Sequence, residues 1–457
     1  MNHIEWLREV RVLDPLSGTD QVSDVWIVDG VLTAIAPPTD APLSDPALMA
    51  VLPATVNEQD IETIHQPGLI VAPGLVDLYS HSGEPGYESR ETLKSLTAAA
   101  IAGGFSRLTV LPDTHPALDN PAAIDQIRRH IQALDNAPHM NLWGALTLGA
   151  NGEQFAELGD LAQAEVIGFA DGSPLQNSVL IRRVLDYAQM FGRPIALWPC
   201  DRHLAGDGVA RESATSIRLG LVGNPTMSET ASLASLLEVI AEIYHPNRDD
   251  SKTIELTDGG DDGDSSAGVH IMRVSTARSV ELIRVAKSQG LPITASTTWM
   301  HLLWTVDDLS SYNPNFRLDP PLGTEADRLA LIEGVRSGVI DAIAIDHSPY
   351  TYEEKTVAFA QSPPGAIGLE LALSVLWNRL VVSDQLTALE LWAALSLNSA
   401  LCLHQSPPAL TTRHPAEMVL FDPQAAWQVT PLTLESQSSN TPLLGHPLTG
   451  KVIKLWT

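Results

Sequence analysis

Eight short apolar runs, most of them followed by a helical pattern, constrain this chain more than any other feature of it. The runs end near Tyr79, Asp113, Thr147, Asp171, Trp198, Arg273, Ser296 and Asp346. Helical periodicity falls at 91–102, 122–134, 155–164, 178–190, 229–243, 277–288 and 325–335. Parallel strands need long crossover connections, so strands that alternate with amphipathic helices predict a parallel sheet. Within 277–288, Ser279-Val280-Glu281-Leu282-Ile283 has one apolar face, and Gly290 stands where a helix is closed. Eight such units in one run favour a closed ring over an open sheet. The expected fold is α/β, a (β/α)8 TIM-type barrel.

The two ends read differently. Residues 10–15 and 25–32 alternate apolar and polar positions, with Asp29-Gly30 as a hairpin-type turn. Residues 418–423 and 450–455 repeat that β character. The expectation is a small β-sandwich-like domain built from residues 1–72 and 410–457, with the barrel at 73–409. Residues 36–60 are rich in Pro, Ala and Asp and read as an insertion. Residues 247–268 are acidic and polar, expected to form a mobile loop, and lack the spacing of a calcium loop.

Composition excludes some partners. The 457 residues hold 27 Lys+Arg against 55 Asp+Glu, a formal charge of −28. That surface repels nucleic acid and anionic membranes. The only cysteines, Cys200 and Cys402, are far apart and outline no disulfide framework. The start lacks a basic segment followed by an apolar run, and no uninterrupted apolar stretch reaches the roughly 18 residues of a membrane span. The expected compartment is the cytoplasm.

Four segments carry a likeness to a known family. Residues 72–86 (Ala-Pro-Gly-Leu-Val-Asp-Leu-Tyr-Ser-His-Ser-Gly-Glu-Pro-Gly) resemble the opening strand of dihydroorotases, Pro-Gly-x-x-Asp-x-His-x-His-x-Arg-Glu-Pro-Gly. Pro112-Asp113-Thr114 stands where that family has Pro-Asn-Thr, and residues 270–276 (His-Ile-Met-Arg-Val-Ser-Thr) are similar to His-x-x-His-Val-Ser-Thr. Asp319-Pro320-Pro321-Leu322-Gly323 followed by residues 340–350 resembles Asn-Pro-Pro-Leu-Arg and then Ile-Asp-x-Ile-Ala-Thr-Asp-His-Ala-Pro-His. The likeness is colinear from about Val10 to Val452.

The resemblance implies a hydrolase of cyclic amides with one or two zinc ions at strand ends, a proton-shuttling Asp, and an Arg and an Asn gripping the substrate carboxylate. Taken position by position, this chain departs from it. Imidazole ligands are replaced by Tyr79, Trp198 and Arg273, none of which binds zinc readily. His81 and Asp171 are residual metal positions, and no lysine between Lys94 and Lys252 can supply a carboxylated ligand. The substrate-contact positions hold Gly83, Asp113, Asp319 and Gly323, and the motif's last His is Tyr350. Asp346 alone keeps its catalytic identity and reads as vestigial.

Three functions follow from the resemblance. The first is a non-catalytic dihydroorotase-like protein of pyrimidine biosynthesis, a structural or regulatory partner of aspartate transcarbamoylase in a homo- or hetero-oligomer, with no cofactor. The second is an active cyclic amidohydrolase with one zinc at His81, Asp171 and Asp346. The third is a pocket that senses a metabolite without turnover. Strand order also places Arg273, Asp171 and Asp346 around one centre, so the Arg273 guanidinium is expected to pair with Asp346 in place of a metal, with Trp198 filling former substrate space. Cys200 and His301 read as packed, satisfied side chains.

Overall fold

The computed structural model describes residues 3–39, 61–244 and 268–457. All of the acidic 247–268 segment except Gly268, and most of the 36–60 insertion, lie outside the described residues.

The eight strands of the barrel are β1 (Leu75–Val76), β2 (Phe105–Val110), β3 (His139–Ala145), β4 (Gly168–Ala170), β5 (Ile195–Leu197), β6 (Val269–Ile271), β7 (Ile293–Thr298) and β8 (Ala342–Ala344). Each pairs in parallel with the next. The ring closes where Asp346 N donates to Tyr79 O at 3.2 Å and His81 N donates to His347 O at 2.8 Å. β1 is shorter than its apolar run suggests: pairing breaks after Val76 and resumes as a single bridge between Ser80 and Val110.

Helices occupy the expected crossovers, among them Leu93–Ala102, Pro121–Gln132, Ser178–Ala188, Met227–Ile243, Ala277–Ser288 and Glu325–Arg336. Their starts are written in local chemistry. The Thr276 side chain accepts from Ser279 N, and Thr324 forms a reciprocal capping box with Asp327. Inside the ring, Tyr79 and Trp143 pack among Ala170, Ala196, Ala342 and Ala344, small residues leaving room for large ones.

Both chain ends build the second sheet. Its order is His414–Pro415, Val31–Ala36, Thr19–Val28, Ile4–Asp14, Ile70–Pro73, Met418–Gln428 and Pro447–Trp456, with Ile61–His65 paired to Ile4–Asp14. The hairpin turns at Asp29 (φ 49°) and Gly30 (φ 77°), the double left-handed geometry of a type I′ turn. The ends are tied by Glu5, buried against Lys454 Nζ and Trp456 Nε1. Among the described residues, no helix is long and apolar enough to cross a membrane.

Candidate functional site at the barrel mouth

Loops at the C-terminal ends of parallel barrel strands converge on one face, so the site is assembled from residues just past the strand ends. Arg273 lies two residues beyond β6, and Asp346 two beyond β8. Both have left-handed backbones, φ 55° and 52°. That conformation is costly for residues with a Cβ and persists where the surroundings impose it. Here Tyr79 imposes it: its hydroxyl accepts from Arg273 N at 3.2 Å, and its carbonyl accepts from Asp346 N at 3.2 Å.

The two side chains form a bidentate pair. Arg273 Nε donates to Asp346 Oδ2 at 2.9 Å, and Nη2 donates to Oδ1 at 2.6 Å. Arg273 Nη1 also donates to Gly172 O at 2.9 Å, and Nη2 lies 3.1 Å from His81 Nε2. The guanidinium stacks 4.6 Å from the Trp198 ring and 5.8 Å from Tyr79. Burial alone would raise the Asp346 carboxyl; the Arg273 charge and His81 instead hold it far below the usual carboxylate range. Burial likewise opposes the Arg273 charge, and Asp346 more than restores it.

His81 bridges this pair to the rim. Its Nδ1 is 2.7 Å from Asp113 Oδ2, and its Nε2 is 3.6 Å from Asp346 Oδ1. Desolvation disfavours imidazolium, but Asp113 and then Asp346 outweigh it and lift the group to about 9. Below the centre, Tyr79 Oη, Ser296 Oγ and His270 Nε2 form a buried chain with links of 3.0 and 2.8 Å. Burial pushes the Tyr79 phenol up and His270 down to about 3, so both are neutral. Asp171, expected to face Arg273, does not: it accepts from Leu146 N, Thr147 N and Thr147 Oγ1 at 2.8, 3.0 and 2.6 Å. Three short neutral bonds to the adjacent β3 end satisfy it locally, while burial raises it to about 6.

Two of the four substrate-contact positions are closed, Gly83 by backbone and Gly323 mainly by a side chain. A Cβ added at Gly83 would stand 2.3 Å from Glu91 O, and one at Gly323 would stand 2.7 Å from Asp327 Cβ. Asp319 is engaged by Arg202 Nη1 at 2.5 Å, and Arg202 stacks 4.6 Å from the Trp198 ring. A cavity of about 170 Å³ remains beside these groups, lined by His81, Trp198, Arg273, His301, Asp319 and Tyr350 among others. The buried Trp198 Nε1 has no acceptor. His301 is neutral, its burial pushing it down to about 4, and it bonds Thr298 Oγ1 and Pro320 O.

Zinc does not fit these residues. A zinc site needs several imidazole, thiolate or carboxylate donors converging at about 2.0–2.3 Å. At this mouth a cationic guanidinium occupies the centre, Trp198 offers only a donor, Tyr79 is neutral and Asp171 is turned away. Among the described residues, three such groups converge only at His3, Glu5 and Glu62 on the terminal sheet, where Lys454 and Trp456 already hold Glu5.

Sequence reasoning brought together Arg273, Asp346, His81 and Trp198 but missed Arg202 and the pairing of His81 with Asp113. Nothing local marks either contact, since the partners are 117 and 32 residues apart.

Known proteins share this architecture and sequence. The family model described as dihydro-orotase-like matches residues 68–237. A probable dihydroorotase-like protein of Synechocystis sp. is 43% identical, covering 97% of this chain and 98% of its own length. A dihydroorotase of Pelotomaculum thermopropionicum is 34% identical over 96% of this chain and 93% of its own. Among solved structures, an L-hydantoinase (dihydropyrimidinase) from Arthrobacter aurescens superposes with a TM-score of 0.78 at 17% identity, covering 99% of this chain and 94% of that one, a likeness of fold.

Proposed function

This chain belongs to the dihydroorotase-like family of the amidohydrolase superfamily, and we propose that it is a non-catalytic member, acting in pyrimidine biosynthesis as a structural or regulatory partner of aspartate transcarbamoylase. The observation that carries the reading is the closure of both positions from which the family's guanidiniums would hold a substrate carboxylate. At Gly83 even a methyl group would collide with Glu91 O. At Gly323 the Asp327 side chain and Ser275 O leave no path for a longer side chain. Without those anchors a cyclic substrate is neither held nor oriented, and orientation supplies much of an enzyme's rate. The misfit of zinc supports the same reading. An active centre using one zinc at His81, Asp171 and Asp346 gains no support, because Asp171 is committed to Thr147 and Leu146.

The decisive assay measures dihydroorotate hydrolysis and zinc content on one purified sample. We expect no turnover above the buffer rate with or without added zinc; turnover that scales with bound zinc would sink the proposal. The partner follows from the family resemblance, and it is tested by co-elution with aspartate transcarbamoylase, where separate elution at micromolar concentrations would remove that role. The cavity and the unpartnered Trp198 Nε1 favour a second reading, a pocket that senses a metabolite without turning it over. Its mark would be a melting temperature raised by a ligand that is recovered unchanged.

A further inference from the structure

The groups around Arg273 suit a cation, although not a zinc ion at their present spacing. Asp346 Oδ1, Asp346 Oδ2, Gly172 O and His81 Nε2 stand 2.6, 2.9, 2.9 and 3.1 Å from its nitrogens. They arrive from three separate strand ends, β8, β4 and β1; the carboxylate and carbonyl oxygens are acceptor types that also bind divalent cations, as does an imidazole nitrogen once it has no proton. From the geometry we infer that Arg273 is a built-in counter-charge seated in a cation cradle, and that the cradle persists beneath it as a metal site which the guanidinium itself keeps closed. The inference rests on the non-catalytic reading and adds a reason why the site would keep a metal out.

The physical argument has two parts. Facing oxygens with no cation between them repel each other and lose their hydration, which a low-dielectric interior penalises. A tethered guanidinium cures both faults permanently, because it cannot dissociate and does not lose its proton. It also spreads the acceptors. They sit a hydrogen bond beyond the nitrogens of a planar group, wider than the roughly 2.0–2.2 Å that nitrogen and oxygen ligands adopt on zinc. A metal can enter only after the side chain has gone and the acceptors have moved inward. Position 273 then decides the outcome. An imidazole there joins His81 and Asp346 as a third donor, and the left-handed backbone (φ 55°) is one that His tolerates better than most residues.

The test uses the full-length wild type, Arg273→His, Arg273→Met and the double variant Arg273→Met/Asp346→Asn. Each is incubated with zinc chloride, desalted, assayed for zinc and melted with and without EDTA. The wild type should retain almost no zinc and melt identically in both buffers. Arg273→His should retain about one equivalent, and EDTA should lower its melting temperature by several degrees, as expected when a ligand binds only the folded state. Arg273→Met should melt well below the wild type, with part of the loss recovered in the double variant. Stoichiometric, EDTA-sensitive zinc in the wild type would overturn the inference. So would a folded Arg273→His that takes up no zinc, or an Arg273→Met that melts with the wild type. If Arg273→His does not fold, the Met variant and the double variant still decide whether the guanidinium serves as counter-charge. A wild type that hydrolyses dihydroorotate without zinc would end the non-catalytic reading and leave the counter-charge standing; a silent wild type beside a zinc-blind Arg273→His would do the reverse.

Discussion

Among the described residues, two buried guanidiniums of the barrel stand beside a carboxylate, and the two pairs are built differently. Arg273 meets Asp346 directly at 2.6 and 2.9 Å and uses its remaining reach on Gly172 O and His81. Arg211, only 1% exposed, stands 3.8 Å from Glu229, and its Nη2 donates to Ser275 Oγ at 2.7 Å and to Pro321 O at 3.5 Å. Its Nε and Nη1 have no partner. Glu229, by contrast, takes hydrogen bonds from Ser275 N, Ser275 Oγ and Thr276 Oγ1. In the first pair each charge depends on the other. In the second the carboxylate is held by neutral donors, and the arginine approaches through one of them. Burial alone therefore does not measure how much a charge matters; what counts is whether its partner would be stranded without it.

The comparison ranks the substitutions that test it. Arg273→Met should cost about 3 kcal/mol of unfolding free energy at neutral pH, because Asp346 loses both bonds of the bidentate pair and keeps only His81, 3.6 Å away, as a counter-charge. Denaturant melts would check this, and adding Asp346→Asn should return part of the loss. Arg211→Met should cost less, about 1–2 kcal/mol, since it frees Glu229 of no bond and removes two unsatisfied donors. If it proves the costlier change, the ranking by satisfied bonds fails.

His81 provides a pH test. Its folded-state pKa of about 9 lies above the ordinary 6.5, so its contribution is complete below pH 6.5 and disappears as pH rises through 9. Asp113, the partner behind most of that rise, is 36% exposed, so solvent screening reduces the effect to about 1 kcal/mol. The difference in stability between wild type and His81→Gln should shrink across that window, whereas a constant difference would show that His81 does not change charge. The smallest effect expected is that of Trp198→Phe. The indole N–H has no acceptor, so no hydrogen bond is lost, and the weaker stack on Arg273 and Arg202 should cost under about 1 kcal/mol. A cost of several kcal/mol would reveal a bond to Nε1 and weaken the contrast drawn around Arg273.

Much of this was legible in the chain before folding. Strand ends, helix starts and the Asp29-Gly30 turn follow from local rules: period, capping residues and turn chemistry, all acting within a few residues. The helix Ala277–Ser288 was placed to the residue from its apolar face and the closing Gly290, and the structure adds Thr276 as its N-cap. The convergence of Arg273, Trp198, His81 and Asp346 was also legible, since a barrel directs every strand end to one mouth. The orientation of Asp171 was not. Its carboxylate chose the β3 backbone over the guanidinium because three neutral donors lay within 3.0 Å, a distance set by strand register.

The sequence by itself determined the barrel, the shared terminal sheet and the residue types gathered at the mouth, because periodicity and strand order are properties of the chain. Only the tertiary structure decided that Gly83 and Gly323 are sealed against backbone and side chains from elsewhere, that Arg202 closes on Asp319, and that one guanidinium takes up both oxygens of Asp346. Those outcomes depend on the close approach of residues far apart in the chain, and no local pattern encodes such distances.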